Sequence, residues 1–316
     1  MTVHKERSHC GIFGTPEEPI FNNPRCQDFP QMLQDSLINM ASHNARDVQK
    51  AGTREGVFRQ GVAANFLFLV CEKLQMPDQV KFVAIELFDR FMQKHLAELY
   101  EHVYSNSTPM AQKAQDWQNI MDKVQKQLYL RVVSCCQIAS KLNSHYKVIS
   151  VGRAKRYLLE LGHNYTANSI LQSELRILKT LGFHVAILSP LDFVETILQV
   201  LAYNTVSLDL PVSVYRCVSV KLLTVLHLRR DNIYRNLLRM SAHTSLSGKV
   251  RSRLCEAQAD KLLLATGIIA AATYISDQQH TDLVIAHLLR ITQITCEDIE
   301  DFVSTLVREV HTSADL

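Results

Sequence analysis

Proline and glycine are both in short supply, eight and ten in 316 residues. Four of the prolines (Pro16, Pro19, Pro24, Pro30) fall in the first thirty positions. None lies between Pro109 and Pro190, and none follows Pro211. Proline removes a backbone donor and clashes inside a helix, so long stretches without it favour helices. No uninterrupted apolar run reaches the ~18 residues that a membrane span needs. The N-terminus lacks the apolar core of a signal peptide, so an intracellular protein is expected. The net charge of +3 is too small to mark a nucleic-acid binder. The eight cysteines are scattered without a C-x-x-C and are expected as free thiols packed among apolar side chains. The thirteen histidines form no H-E-x-x-H. His95 and His102, like His280 and His287, are seven apart, which permits one helix face and defines no metal site. There is no nucleophile triad, no paired catalytic carboxylates and no glycine-rich phosphate loop. The expectation is a non-catalytic protein with no metal and no cofactor.

What remains is ample for two packed cores. Forty-seven per cent of the chain is apolar, and a chain of this length suggests two domains. Residues 1–30 lack helical periodicity and read as a disordered arm. Residues 31–56 read as a helix, with Met32, Leu33, Leu37, Ile38 and Met40 as its apolar side, followed by a linker broken at Gly52 and Gly56. From 57 the pattern becomes dense. Helices are expected at 57–76 and 79–92, separated by Pro77 with Asp78 as a cap. A further helix starts at Thr108-Pro109, and others follow at 128–142, 151–161 and 166–182. The run LYLRVVSCCQIASKL at 128–142 is apolar on nearly every side, the mark of a helix surrounded by others.

After Ser189-Pro190 the pattern restarts, with helices expected at 191–203, 212–228, 231–240, 257–276 and 295–310. LLLATGIIAAATYI at 262–275 is again apolar nearly all round. Ile138-Ala139 and Ile269-Ala270 fall at matching places in the two central helices. Each central helix is followed by a shorter amphipathic one, Ile170–Leu181 and Ile299–Leu306. The spacing suggests two copies of one helical domain, at 57–187 and 188–310, with a tail at 311–316.

Several runs resemble the cyclin family. LFDRFM at 87–92 resembles its L-D-R-F-L run, and VSCCQIASKL at 133–142 its central-helix run ending in I-A-S-K. ILQSELRILKTLGFHV at 170–185 and SPLDFVETIL at 189–198 resemble the end of the first box and the opening of the second. LLRITQITCEDIEDFV at 288–303 resembles the end of a C-terminal box. The resemblance covers roughly 57–310. It implies an all-α fold of two tandem five-helix cyclin-like domains. Within the family the likeness is to members that promote crossover formation in meiosis. That implies a nuclear, chromosome-associated and also cytoplasmic regulatory scaffold. Its implied partners are crossover proteins of a MutL-type endonuclease pathway. The alternative is a regulatory subunit of a cyclin-dependent kinase. Fold alone does not decide between them.

The resemblance also points to residues. Glu174 matches a cyclin glutamate that sits with the lysine of the I-A-S-K run, here Lys141, and faces the kinase. On the helical wheel Glu174 falls inside the arc of Ile170, Leu171, Leu175, Ile177, Leu178 and Leu181. A carboxylate there needs a partner. The pair either faces a partner protein or only ties two helices together. Asp89 matches an aspartate that a cyclin arginine holds. Arg59 is the expected partner, although a gap-free alignment places Gln60 there. The substrate-docking surface M-R-x-I-L-x-x-W is replaced by FRQGVAANF at 58–66, with Gly61 and Ala64 where bulk is expected and Phe66 at the tryptophan position. The connection at 94–127 is longer than a cyclin turn and carries the sole tryptophan, Trp117. That residue either covers a core edge or anchors a partner. Finally, 229–253 holds Arg229, Arg230, Arg235, Arg239, Lys249, Arg251 and Arg253 against one acid, Asp231. This run is either a solvated face or a contact surface for DNA phosphates or an acidic partner.

Overall fold

The computed structural model describes residues 29–51, 56, 58–59, 61–105, 109–143, 147–241 and 255–314. Residues 1–28 of the expected arm, and Lys249, Arg251 and Arg253, lie outside them. The described residues are helical and contain no strand.

A long helix α1 (Phe29–Lys50) precedes the first bundle. The bundle contains α2 (Gly61–Lys73), α3 (Asp78–Tyr104), α5 (Leu128–Asn143), α6 (Val151–Glu160) and α7 (Ala167–Thr180), with α4 (Met110–Lys126) added between its second and third members. The central α5 packs against α2, α3, α6 and α7. Its run from Val132 to Ser140 is buried throughout, as its all-round apolar sequence requires. The second bundle contains α8 (Pro190–Asn204), α9 (Val212–Leu228), α11 (Lys261–Ser276), α12 (Thr281–Thr292) and α13 (Cys296–Ala314). Here α10 (Arg230–Ser241) is the added helix. The central α11 packs against α8, α9, α12 and α13. Gly267 permits that closeness, because a Cβ there would stand 2.4 Å from the Phe302 ring on α13.

Local chemistry sets the ends. Ser189 caps α8 in a reciprocal capping box with Asp192, and Pro190 occupies the first turn. Asp260 caps α11 by accepting from Leu263 N at 2.9 Å, so the expected helix over 257–276 is broken there. Pro77, not Asp78, is the N-cap of α3; Asp78 is in the first turn and pairs with Lys81 at 2.7 Å. The first bundle's opening helix begins at Gly61 rather than 57, and α13 runs through the expected tail to Ala314.

The main correction is α12, where no helix was expected. Its buried face is Thr281, Val284, Leu288 and Thr292, a narrow stripe that is half threonine and gives a weak periodic signal. With α12 present, 231–240 is no longer one of the five bundle helices.

The bundles meet through α2 against α9 and α3 against α8, and α1 lies along α8 and α11 of the second bundle. Leu33, Leu37, Met40 and Asn44 form the buried side of α1, whereas Met32 and Ile38 face outward. Gly61 allows α2 to approach α9, since a Cβ there would stand 2.5 Å from the Leu228 carbonyl oxygen.

Candidate functional site

The candidate face is built from the end of α5 and the outer side of α7. Lys141 lies in the last turn of α5, and its Nζ donates to Glu174 Oε1 at 2.5 Å. The lysine side chain is 46 % exposed and the glutamate 9 %. The pair therefore ties α5 to α7 while presenting its cation to solvent.

The orientation of α7 departs from the expected apolar arc. Ile170, Ser173, Glu174 and Ile177 face the core, whereas Leu171 and Leu175 are turned outward. Polar partners inside the bundle explain this rotation. Ser173 Oγ accepts from Ser134 Oγ at 2.8 Å and from the Arg131 guanidinium at 2.9 Å. Satisfying those buried donors draws Ser173 and Glu174 inward. It leaves a leucine stripe in water.

The stripe ends at Phe183. After α7, Gly182 N donates to the Lys179 carbonyl at 2.9 Å and Phe183 N to the Leu178 carbonyl at 2.8 Å, the two bonds of a Schellman stop. Gly182 suits the left-handed position, with φ +59°, but Phe183 also has φ +61°. A bulky residue there is strained by about 1–3 kcal/mol. Its ring is nonetheless 63 % exposed. Leu142, beside Lys141, is exposed as well. Exposed apolar groups thus accompany a half-exposed ion pair, a combination suited to a protein partner.

The second cluster is buried between the bundles. Arg59 Nε donates to Asp89 Oδ2 at 2.9 Å, and Phe58 N donates to Asp89 Oδ1 at 3.0 Å. Arg59, not Gln60, is thus the partner of Asp89. Glu86 stands 2.8 Å from Arg59 and 3.0 Å from Lys261, the first residue of α11. Burial alone pushes the Glu86 carboxyl up. The charges of Arg59 and Lys261 outweigh that, and it sits at about 2, below the usual 4.5. Lys261 Nζ also donates to the Leu188 carbonyl at 2.8 Å. Asn44 of α1 donates to Asp260 and accepts from Lys261 N, both at 2.8 Å. One network therefore joins α1, α3, α11 and the connection between bundles. A carboxylate inside the apolar run VAIELF was the signal for it. Nearby, His227 packs against the Phe68 and Phe82 rings at 5.8 and 5.5 Å. Burial is the main cause that lowers its pKa to about 4.

The remaining expected residues are dispersed. Trp117 is half-buried on α4, edge-on to Tyr100 at 5.4 Å. No residue of α4 is buried. In the former docking segment, Ala64 is buried and Phe66 packs edge-on to Tyr129 at 4.9 Å. Of the basic run, Arg229, Arg235 and Arg239 are exposed. Arg230 is a correction: it is buried, donating to the Gln258 carbonyl at 3.1 Å with its guanidinium 4.7 Å from the centre of the Tyr234 ring. It belongs to the core, not to a contact surface. The thiols of Cys135 and Cys136 are buried, and burial pushes both pKa values well up, so they are held as thiols. Among the described residues no group of three His, Cys, Asp or Glu side chains is placed to hold a metal. None of their helices is long and apolar enough to cross a membrane.

Comparison with known proteins fits this architecture. The family described as "Cyclin, N-terminal domain" matches residues 29–186. Mouse Cyclin N-terminal domain-containing protein 1 is 32 % identical over 284 residues, 88 % of this chain and 84 % of that one. The human protein of the same name is 32 % identical over 273 residues, 86 % of this chain and 82 % of that one. Cyclin-fold proteins are generally regulatory, and their domain suggests protein–protein interaction. With the two five-helix bundles, these matches establish that the chain belongs to the cyclin family.

Proposed function

We propose that the protein is a non-catalytic regulatory scaffold that grips partner proteins through the α5–α7 face. The setting is the nucleus and its chromosomes, with a cytoplasmic pool, during meiotic crossover formation and maturation. The partners are crossover proteins of a MutL-type endonuclease pathway. The observation that carries the gripping role is the exposed stripe of Leu171, Leu175 and Phe183 beside Lys141 and Glu174. Apolar groups held in water at a backbone cost are a poor bargain for an isolated fold and a good one for an interface. The meiotic setting rests on the resemblance of the sequence motifs to crossover-promoting cyclins.

The Lys141–Glu174 pair favours a second reading, a regulatory subunit of a cyclin-dependent kinase. Affinity purification from meiotic tissue separates the two. Wild-type protein is compared with Leu175→Asp and Phe183→Asp. Recovery of recombination proteins, lost in both variants, is the expected outcome. Recovery of an active kinase whose activity disappears with Lys141→Ala or Glu174→Ala moves the second reading to first place. Equal capture by all variants rules out this face.

A further inference from the structure

The second bundle has an end that its own fold does not explain. There α8 stops, α9 begins, α11 stops and α12 begins, so two connections lie side by side. Tyr215 in the first turns of α9 donates to Asp277, just after α11, at 2.6 Å and fastens them together. On these connections and the turns beside them, Val206, Leu208, Val214, Tyr274, Ile275 and Leu283 are all exposed. Val206 reaches 62 %, and Val214 and Ile275 each 47 %. These are large apolar groups concentrated at one pole, where scattered single ones would need no explanation.

The formal charge around them is acidic, with His280 standing 2.9 Å from Asp277. Residues 204–215 and 274–283 contain Asp209, Asp277 and Asp282 and neither Lys nor Arg, in a chain whose net charge is +3. The corresponding end of the first bundle, 73–81 and 141–156, has the opposite character, with seven Lys or Arg against one acid. The same end of the same fold is thus basic in one copy and acidic and apolar in the other. The fold does not dictate the apolar acidic end.

We propose that this end docks a basic amphipathic helix of a partner protein. Apolar anchors fit the exposed floor, and flanking Lys or Arg side chains meet Asp209 and Asp282. A helix suits the place better than an extended peptide. Its backbone satisfies itself, and the described residues here offer no strand edge to pair with. Acid–base complementarity guides the approach and fixes the register, while the apolar floor supplies most of the hold.

The test uses the full chain and a fluorescent 18-residue synthetic helix with leucines on one face and Lys/Arg on the other. A scrambled peptide of the same composition is the control. Anisotropy is expected to show binding to the amphipathic peptide and not to the scrambled one. The double variant Val206→Ser/Ile275→Ser is expected to weaken it at least about tenfold. Asp282→Lys, an exposed change, weakens it independently should the double variant melt early. Phe183→Asp, on the α5–α7 face, leaves it unchanged, which separates this docking from the partner face proposed above. Equal binding of the scrambled peptide, or unchanged binding in both end variants, overturns the proposal. So does a concentration-dependent dimer in sedimentation that the double variant abolishes, because the occupant is then a second copy of this chain.

Discussion

The two bundles insert a helix at the same point, between their second and central members, and use it in opposite ways. In the first, α3 runs 27 residues and carries the insertion outward; α4 has no buried residue and touches its host mainly through half-buried apolar groups and Trp117. In the second, α10 lies on α13 and α9 and buries Arg230, Ile233 and Tyr234. One insertion adds surface, and the other has become core. A repeated fold thus tolerates extra chain at one topological position, and inserts of similar apolar content either project or sink according to how far neighbouring helices cover them.

The strongest test of the comparison is a charge at each centre. Ile138→Asp and Ile269→Asp bury an unpaired carboxylate in α5 and α11. Both variants are expected to lose the cooperative fold of the whole chain, because the interbundle network makes the bundles one unit. Circular dichroism melts with limited proteolysis show this. A surviving second bundle in Ile138→Asp would show that the two fold independently.

Glu86→Gln comes next. It leaves Arg59 and Lys261 buried without their shared carboxylate, at a cost of about 3–5 kcal/mol. Urea unfolding measures it. The same network gives a pH signature with a fixed sign. Neutral His227, held at about 4 against 6.5, stabilises the fold fully above pH 6.5, and this is lost as pH falls towards 4. Glu86, held at about 2 against 4.5, contributes above pH 4.5 and loses that as pH falls towards 2. Melting temperature should therefore fall in two acid steps, and His227→Phe should reduce the first, which His95, also lowered to about 4 by burial, shares.

Smaller effects separate contacts within a bundle from those between bundles. Gly267→Ala forces a methyl against Phe302 within the second bundle, whereas Gly61→Ala forces one against the Leu228 carbonyl at the junction. Each should cost about 1–3 kcal/mol. Calorimetry should show one shifted transition for Gly267→Ala and two separated transitions for Gly61→Ala. A single transition in both would mean that α2 and α9 can slide apart without uncoupling the bundles.

The smallest effect belongs to α4. Trp117→Ala should cost about 1 kcal/mol, the loss of one edge-on ring contact with Tyr100. A several-fold larger loss in thermal or urea unfolding would make α4 core like α10 and remove the contrast.

Much of the fold was legible because burial leaves a one-dimensional trace. All-round apolar runs at 128–142 and 262–275 can only be central helices, and Ser189-Pro190 can only start one. α12 was not legible, because two of its four buried residues are threonines that read as polar until their hydroxyls are seen returning to backbone carbonyls. The Lys141–Glu174 partnership was visible in the motifs, and Arg59 against Asp89 was visible to within one residue.

The sequence by itself determined the helical class, the repeat and the pairing of Lys141 with Glu174, since periodicity and motif spacing survive without coordinates. Tertiary structure alone decided which way the faces point. Wheel arithmetic places Leu171 and Leu175 inside, but Ser173 and Glu174 are hydrogen-bonded to Ser134 and Lys141 on α5 and take that place. The same holds for Arg230, one of seven cations between 229 and 253 by sequence and a buried residue in the fold. Hydrogen-bond satisfaction is a property of neighbours distant in the chain, and no local pattern encodes it.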